Sequence, residues 1–267
     1  MVFHLIKGII REFAAIFGVV VVRKKNFDAL TRVDSERLAA FEFLLTIPEV
    51  DRVPLLGLIS HSKSQNAQDI FVLHQLKLKR SGYFVEFGAT NGVTGNNTML
   101  LESEFGWRGI LAEPAKGWHN DLLKNRPNAS IETRCVWSES DLLLEFTETE
   151  NRDLSTLSAF AQIDHHRSNR ESGNKYSVST ISLHDLLEHH GAPRHIDYLS
   201  IDTEGSEFEI LNSFDFSQYS FGVITCEHNF TESRQSIHNL LISKGYVQVF
   251  PHMSKFDDWY VSANLLV

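Results

Sequence analysis

Tyr83-Phe84-Val85-Glu86-Phe87-Gly88-Ala89-Thr90-Asn91-Gly92 is a hydrophobic run that ends in an acid and opens into a glycine-spaced loop. The stretch predicts a strand feeding a ligand-binding turn, because glycines at 88 and 92 let the backbone turn sharply and approach a ligand without Cβ interference. A dinucleotide or P-loop site wants G-x-G-x-x-G or G-x-x-x-x-G-K-[ST] ahead of a helix whose N-terminus faces phosphate. This chain has E-x-G-x-x-x-G instead. Glu86 would repel a pyrophosphate and suits a cationic ligand. A turn of this composition also occurs as plain structure, so the next segment decides.

That segment reads as a helix over Asn97 to Phe105, capped by Asn96 or Thr94, followed by a short strand Gly109-Ile110-Leu111-Ala112 that ends in Glu113-Pro114. An acid closing the second strand, about 20 residues past the glycine loop, sits where such folds bind two ribose hydroxyls. Two acids then flank one crevice. S-adenosylmethionine (SAM), with its ammonium, sulfonium and ribose, matches both.

The 267 residues, 42% hydrophobic and 22% charged, suffice for one large core. The net charge of -9 and the lack of a Lys/Arg-rich face argue against nucleic acid as partner and favour a neutral or sugar-like acceptor. Cys135 and Cys226 lie in apolar runs and read as buried reduced thiols, which predicts a reducing, cytoplasmic compartment. From Phe3 to Val22 the chain is apolar but broken by Lys7, Arg11 and Glu12, too short a run to span a bilayer, and no signal cleavage pattern follows. Phe3, Ile6, Ile10, Phe13 and Phe17 fall at helical spacing, so this segment either docks on the domain or a partner subunit, or makes peripheral contact with a membrane surface. A second helical stretch, Phe27 to Thr46, closed by Pro48 and Pro54, completes an N-terminal helical extension over residues 1–60, ahead of a main domain over 61–267.

In the main domain, apolar runs alternate with helical patterns, the signature of a parallel sheet covered on both faces. A helix over Gln65 to Lys79 precedes the first strand, and Pro114 starts the helix that carries Trp118 and Leu122. Ile131 to Trp137 reads as a third core strand and Leu142 to Thr147 as a further short one. Glu148 to Ser177 is polar and aperiodic, a connection long enough to be a lid or binding loop. Leu183 to His190 reads as a helix stopped by Gly191, Ile196 to Ile201 and Phe221 to Cys226 as buried strands, and Glu204 to Phe214 as the helix between them. After the helix Ser233 to Lys244, Tyr246 to Phe250 and Trp259 to Ala263 pair as an antiparallel hairpin across the sheet edge.

Ligands bind at the carboxyl ends of strands in such sheets. Three of these ends are polar: Glu86 with Gly88, Asn91 and Gly92; Asp202-Thr203-Glu204-Gly205; and Glu227-His228-Asn229. Asp202 and Thr203 also fit plain capping of the next helix. The adjacent pairs His165-His166 and His189-His190 lack any zinc-binding frame and read as solvated polar residues that do not converge on one ion.

Ser64-Gln65, Gln68-Asp69, Phe84 to Ala89 with Gly92, Asn97-Thr98 with Leu101-Glu102, Gly106-Trp107-Arg108-Gly109, Glu113-Pro114 and Ile201 to Glu207 form an ordered set. Over residues 61 to 250 this set resembles the FkbM-type SAM-dependent methyltransferase family. The resemblance implies an α/β class I methyltransferase (Rossmann-like) fold, a mostly parallel seven-stranded sheet with helices on both faces, and methyl transfer to hydroxyl oxygens, often of sugars and glycans. Asn91 departs from the family's frequent Asp in the glycine loop.

By resemblance, Glu86 and the Gly88 to Gly92 loop with Asn91 hold the methionine end of SAM, Glu113 the ribose, and Cys135 and Val136 border the adenine. Asp202 and Glu204 face the transferred methyl. A sugar hydroxyl must lose its proton, and His228 is of the residue type best suited to act as general base near neutral pH, with Asp202, Glu204 or Glu227 as substitutes. Alternatively, Asp202 with Glu227, His228 or Asn229 holds Mg²⁺ or Mn²⁺ and lowers the acceptor's pKa. Two other functions compete: an NAD(P)-dependent oxidoreductase, disfavoured by Glu86 and the missing G-x-G-x-x-G, and a non-catalytic SAM-binding module, disfavoured by the full set of acids.

Overall fold

The computed structural model describes residues 24–266, with side chains from residue 35 onward. The expected helix over Phe3 to Val22 and its membrane contact therefore lie outside the described residues. The chain enters through α1 (Lys24–Thr46) and α2 (Glu49–Leu56), and α3 (Gln68–Gln75) leads to the central strand β1 (Tyr83–Phe87). There follow α4 (Met99–Phe105), β2 (Arg108–Ala112), α5 (His119–Asn125) and β3 (Ser130–Glu132). The middle of the chain forms β4 (Cys135–Trp137), β5 (Leu143–Glu148), β6 (Thr156–Leu157), α6 (Arg167–Arg170) and β7 (Asn174–Ser182). After α7 (Leu183–His189) come β8 (His195–Ile201), α8 (Glu207–Ser213), β9 (Ser220–Glu227), α9 (Ser233–Ser243), β10 (Tyr246–Val249) and β11 (Asp257–Ser262).

Seven strands form one sheet in the order β10-β11-β9-β8-β1-β2-β3. β3, β2, β1, β8 and β9 run parallel, while β11 is antiparallel to both β9 and β10. This is the class I methyltransferase arrangement that the sequence implies, with one refinement: β11 is inserted between β9 and β10, so of the hairpin's two strands β10 alone lies at an edge. The inner strands are covered on both faces and are therefore apolar nearly throughout. Period-two alternation divides them between two cores. Phe84, Val223, Trp259 and Val261 join one, and Val85, Phe87, Ile224, Cys226 and Tyr260 the other.

The first core crosses the boundary expected at residue 60. Phe43 and Leu44 of α1, and Ile47 just after it, are buried with Phe71 and Trp259. The Phe43 ring stands 6.1 Å from Phe71, 5.3 Å from Phe250 and 5.7 Å from Trp259 in edge-on contacts. Helices α1 and α2 are thus part of the main domain's packing. Among the described residues no helix is long and apolar enough to cross a membrane.

A second sheet, in the order β4-β7-β5-β6, was not legible as such. The expected strand Ile131 to Trp137 is two strands in two sheets, because Arg134 folds back on Glu132, donating from its backbone N and Nε to Oε1 at 2.9 Å each. The expected loop Glu148 to Ser177 contains β6, α6 and the start of β7. That strand pairs antiparallel with β5 and buries only part of one face, so its exposed residues are polar.

Candidate active site

A cavity of about 410 Å³ opens at the carboxyl ends of β1, β2, β8 and β9. Gly88, Glu113, Asp202 and Glu227 contribute to its floor, and Val136 of β4 and Leu157 of β6 to its roof. The small sheet therefore covers the crevice at which the large sheet's strands end, which is where open α/β sheets bind ligands.

At one end, Glu113 closes β2. It is buried, and its carboxylate accepts from Thr90 N at 2.8 Å and Ala115 N at 2.7 Å. The turn made by the Ala115 bond delays the next helix to His119, five residues after Pro114. Burial pushes the Glu113 carboxyl up to about 7, against those two hydrogen bonds. A carboxylate has about four acceptor positions, so two remain for a diol. Cys135 and Val136 line the same cavity as expected, and burial pushes the Cys135 thiol up to about 12, leaving it an inert apolar wall.

Three expected contacts in the glycine loop lie behind the cavity wall. Glu86 is buried and saturated: it accepts from Asn97 N at 2.8 Å, Asn96 Nδ2 at 2.9 Å and Thr98 Oγ1 at 2.5 Å. Burial raises its pKa, with Arg126 and these bonds opposing. It shapes the 88–98 loop from beneath, where the sequence had it meeting the ligand's charge directly. Asn91 spends its Oδ1 on the backbone N–H groups of Val93 and Thr94, both at 2.9 Å. Gly92, at φ +78°, packs against the end of α5, where a Cβ would meet Leu122 Cδ1 at 2.8 Å and Cγ of Arg126, the residue after the helix, at 2.6 Å. Gly88 alone of these four lines the cavity.

At the other end, Asp202, Glu204 and Glu227 converge, with one oxygen of each within 4.8 Å of the others. Glu204 has a left-handed φ of +59°. Helix α8 begins only at Glu207, whose Oε1 accepts from Thr203 N, Thr203 Oγ1 and Gly205 N at 2.9, 2.9 and 3.1 Å. Glu207 thus ties down the loop ahead of α8, Asp202 makes none of the capping bonds that it and Thr203 also fit, and Asp202 is left to the cavity. Burial pushes the Asp202 carboxyl up to about 7 and raises Glu204 and Glu227 well above the usual range, with the neighbouring carboxyls adding to the rise.

His228 does not join them. Its Nδ1 accepts from Phe230 N at 3.0 Å, and its Nε2 faces Ser254 Oγ at 3.5 Å and Asp258 Oδ1 at 3.7 Å. The ring is buried and absent from the cavity wall, so the expected base and metal-ligand roles of His228 are corrected. Glu204 takes its place in the cluster.

Residues behind and along the cavity wall escaped the sequence reading. Arg170, fully buried, donates Nη1 to both Asp164 oxygens at 2.9 and 3.0 Å and Nη2 to Glu204 Oε2 at 2.7 Å. It ties the roof to the floor, and no periodicity in its polar surroundings announced it. His165 and His166 line the cavity with ring centres 3.8 Å apart, His165 exposed as expected and His166 half-buried. His189 and His190 also differ from expectation: α7 stops between them, and their nitrogens lie within 4.8 Å of a Glu132 oxygen and of each other. Phe230 and Phe256 complete the wall, Phe230 being 66% exposed at φ +58°. An aromatic directly after the polar strand end Glu227-His228-Asn229 was the available signal.

A family profile described as Methyltransferase FkbM domain matches residues 86–260. No curated protein matches the chain. Among solved structures, the chain is similar to a precorrin-6y C5,15-methyltransferase from Geobacter metallireducens, at 13% identity and TM-score 0.39 over 73% of this chain and 86% of that one. A putative RNA methyltransferase from Pyrococcus horikoshii is similar at 12% identity and TM-score 0.38, over 87% and 98%. A human methyltransferase 10 domain containing protein is similar at 11% identity and TM-score 0.40, over 88% and 97%.

Proposed function

Since the chain belongs to the FkbM methyltransferase family, we propose that it transfers a methyl group from SAM to a hydroxyl oxygen of a sugar or glycan-type acceptor. Membership displaces the oxidoreductase alternative. The observation that carries the reading is that Asp202, a carboxyl held at about 7, shares one 410 Å³ cavity with Glu113 and Gly88. The residues present fit SAM: Glu113 offers two acceptor positions to the ribose, Val136 and Cys135 an apolar border for the adenine, and the acidic end a field that favours the cation. SAM supplies an activated methyl on a sulfonium.

The chain's own part is to position the acceptor and take its proton. An in-line displacement at carbon gains most from proximity, so the enclosing roof matters as much as any base. Asp202 would take the proton of the acceptor hydroxyl when that oxygen accepts the methyl and SAM leaves as its demethylated thioether. A base with a pKa near the working pH is well matched to this step. Phe230 and Phe256 support a sugar acceptor, because an aromatic face packs on the C–H face of a ring while Asn151 and the histidine pair offer polar partners.

The test is calorimetry with SAM, its demethylated product and NAD, followed by transfer of an isotopically labelled methyl to a panel of glycans. SAM and its product should bind and NAD should not, with the label recovered in an alkali-stable methyl ether. Label in an amine or a labile ester, or no transfer to any hydroxyl compound, would overturn the O-methyl reading.

A further inference from the structure

We propose that Asp202, Glu204 and Glu227 form a binding site for one hard divalent cation, Mg²⁺ or Mn²⁺, in the cavity floor. All three ligands are carboxylates, the donor type these ions prefer. They come from two adjacent parallel strand ends, β8 and β9, and their oxygens gather within 4.8 Å.

A second observation is independent of the cluster's composition. Glu227 is 6% exposed, lines the cavity, and its Oε2 has no hydrogen-bond donor. A buried carboxylate oxygen without a donor is costly unless a cation or proton occupies the space in front of it.

The local charge points the same way. Arg170 is the guanidinium in contact with this group, and it is divided between Glu204 and a two-pronged bond to Asp164. Four carboxylates thus share one fixed cation, and a divalent ion would bring the group close to balance. Glu204 Oε2 already accepts from Arg170 and from Asn229 Nδ2 at 3.0 Å, which leaves its other oxygen for the ion. By contrast, the Glu132, His189 and His190 group has both carboxylate oxygens held by Arg134, at 2.9 and 2.7 Å, and serves as an internal control.

The site stands without the methyl-transfer reading, although on that reading the ion would lie where the acceptor hydroxyl must lose its proton. The experiment is titration of the chelator-treated full chain with Mn²⁺, followed by the loss of the free-ion signal in electron paramagnetic resonance, with SAM binding measured in parallel by calorimetry. One Mn²⁺ per chain is expected, weakened at least tenfold in Glu227→Gln and in Asp202→Asn and unchanged in His190→Ala. Both carboxamide variants remove like-charge repulsion and should melt no lower than the parent, which separates lost binding from lost folding. Absence of Mn²⁺ binding in the parent, or binding undiminished in both carboxamide variants, overturns the proposal whatever SAM does. A parent that binds Mn²⁺ but not SAM upholds the cation site and counts against the methyltransferase reading instead.

Discussion

A Cβ placed on Gly88 would lie 1.9 Å from the carbonyl oxygen of Asp202. The two residues end neighbouring parallel strands, so the glycine loop and the acidic end of the cavity touch through backbone. Gly88→Ala must therefore push β1 from β8 as well as adopt φ +72°. The backbone conformation alone costs about 1–3 kcal/mol. We expect a melting temperature lower by several degrees and loss of measurable SAM binding. An unchanged melt would mean that the loop relaxes freely.

Glu113 links SAM binding to pH. Its carboxyl rises from 4.5 to about 7 on folding, so the folded chain holds an extra proton between those values. The contribution to stability is therefore full below pH 4.5 and is lost as pH climbs through 7, on the order of 3 kcal/mol. Ribose hydroxyls need the ionised form as acceptor. SAM affinity should consequently increase from pH 6 to 8, and Glu113→Gln should flatten that profile and weaken binding roughly tenfold or more, the scale of a charge-assisted hydrogen bond. Calorimetry across that range decides it; a variant with parental affinity would remove Glu113 from the ribose site.

Arg170→Met should be among the most damaging substitutions. It strands Asp164 and Glu204 as buried charges, and breaking a buried pair from one side costs about 3–5 kcal/mol. At roughly 2–4 °C per kcal/mol for a chain of this size, the melting temperature should fall by about 10 °C. A drop of a degree or two would show that water reaches the pair.

The packing of α1 predicts that residues 24–60 cannot be dispensed with. Phe43→Ala should cost about 3–5 kcal/mol by thermal or urea unfolding. A chain begun at residue 61 would expose Phe71 and Phe250 and should aggregate or melt far lower. If it folds and binds SAM normally, the extension is separable after all.

The large sheet was legible because buried parallel strands write themselves as apolar runs ending in polar residues, and β1, β8 and β9 all do. Glu113 and Asp202 were found by the same rule. The small sheet was not legible: its strands are short, half-exposed and polar, so β7 resembles a loop. Side-chain direction was also beyond reach. Nothing in Glu227-His228-Asn229 says that the histidine turns toward Asp258 while its neighbours face the cavity, because that depends on the later strand β11. Arg170 depends likewise on partners 6 and 34 residues away.

All four strands of the small sheet come from one uninterrupted passage, residues 135–182, while the large sheet is assembled from the chain on either side. Heredity can therefore treat the two differently. Replacing the passage between β3 and α7 as a unit would change the roof of the cavity while leaving Glu113, Asp202 and Glu227 in place, provided that the incoming passage brings its own counterpart of Arg170 for Glu204.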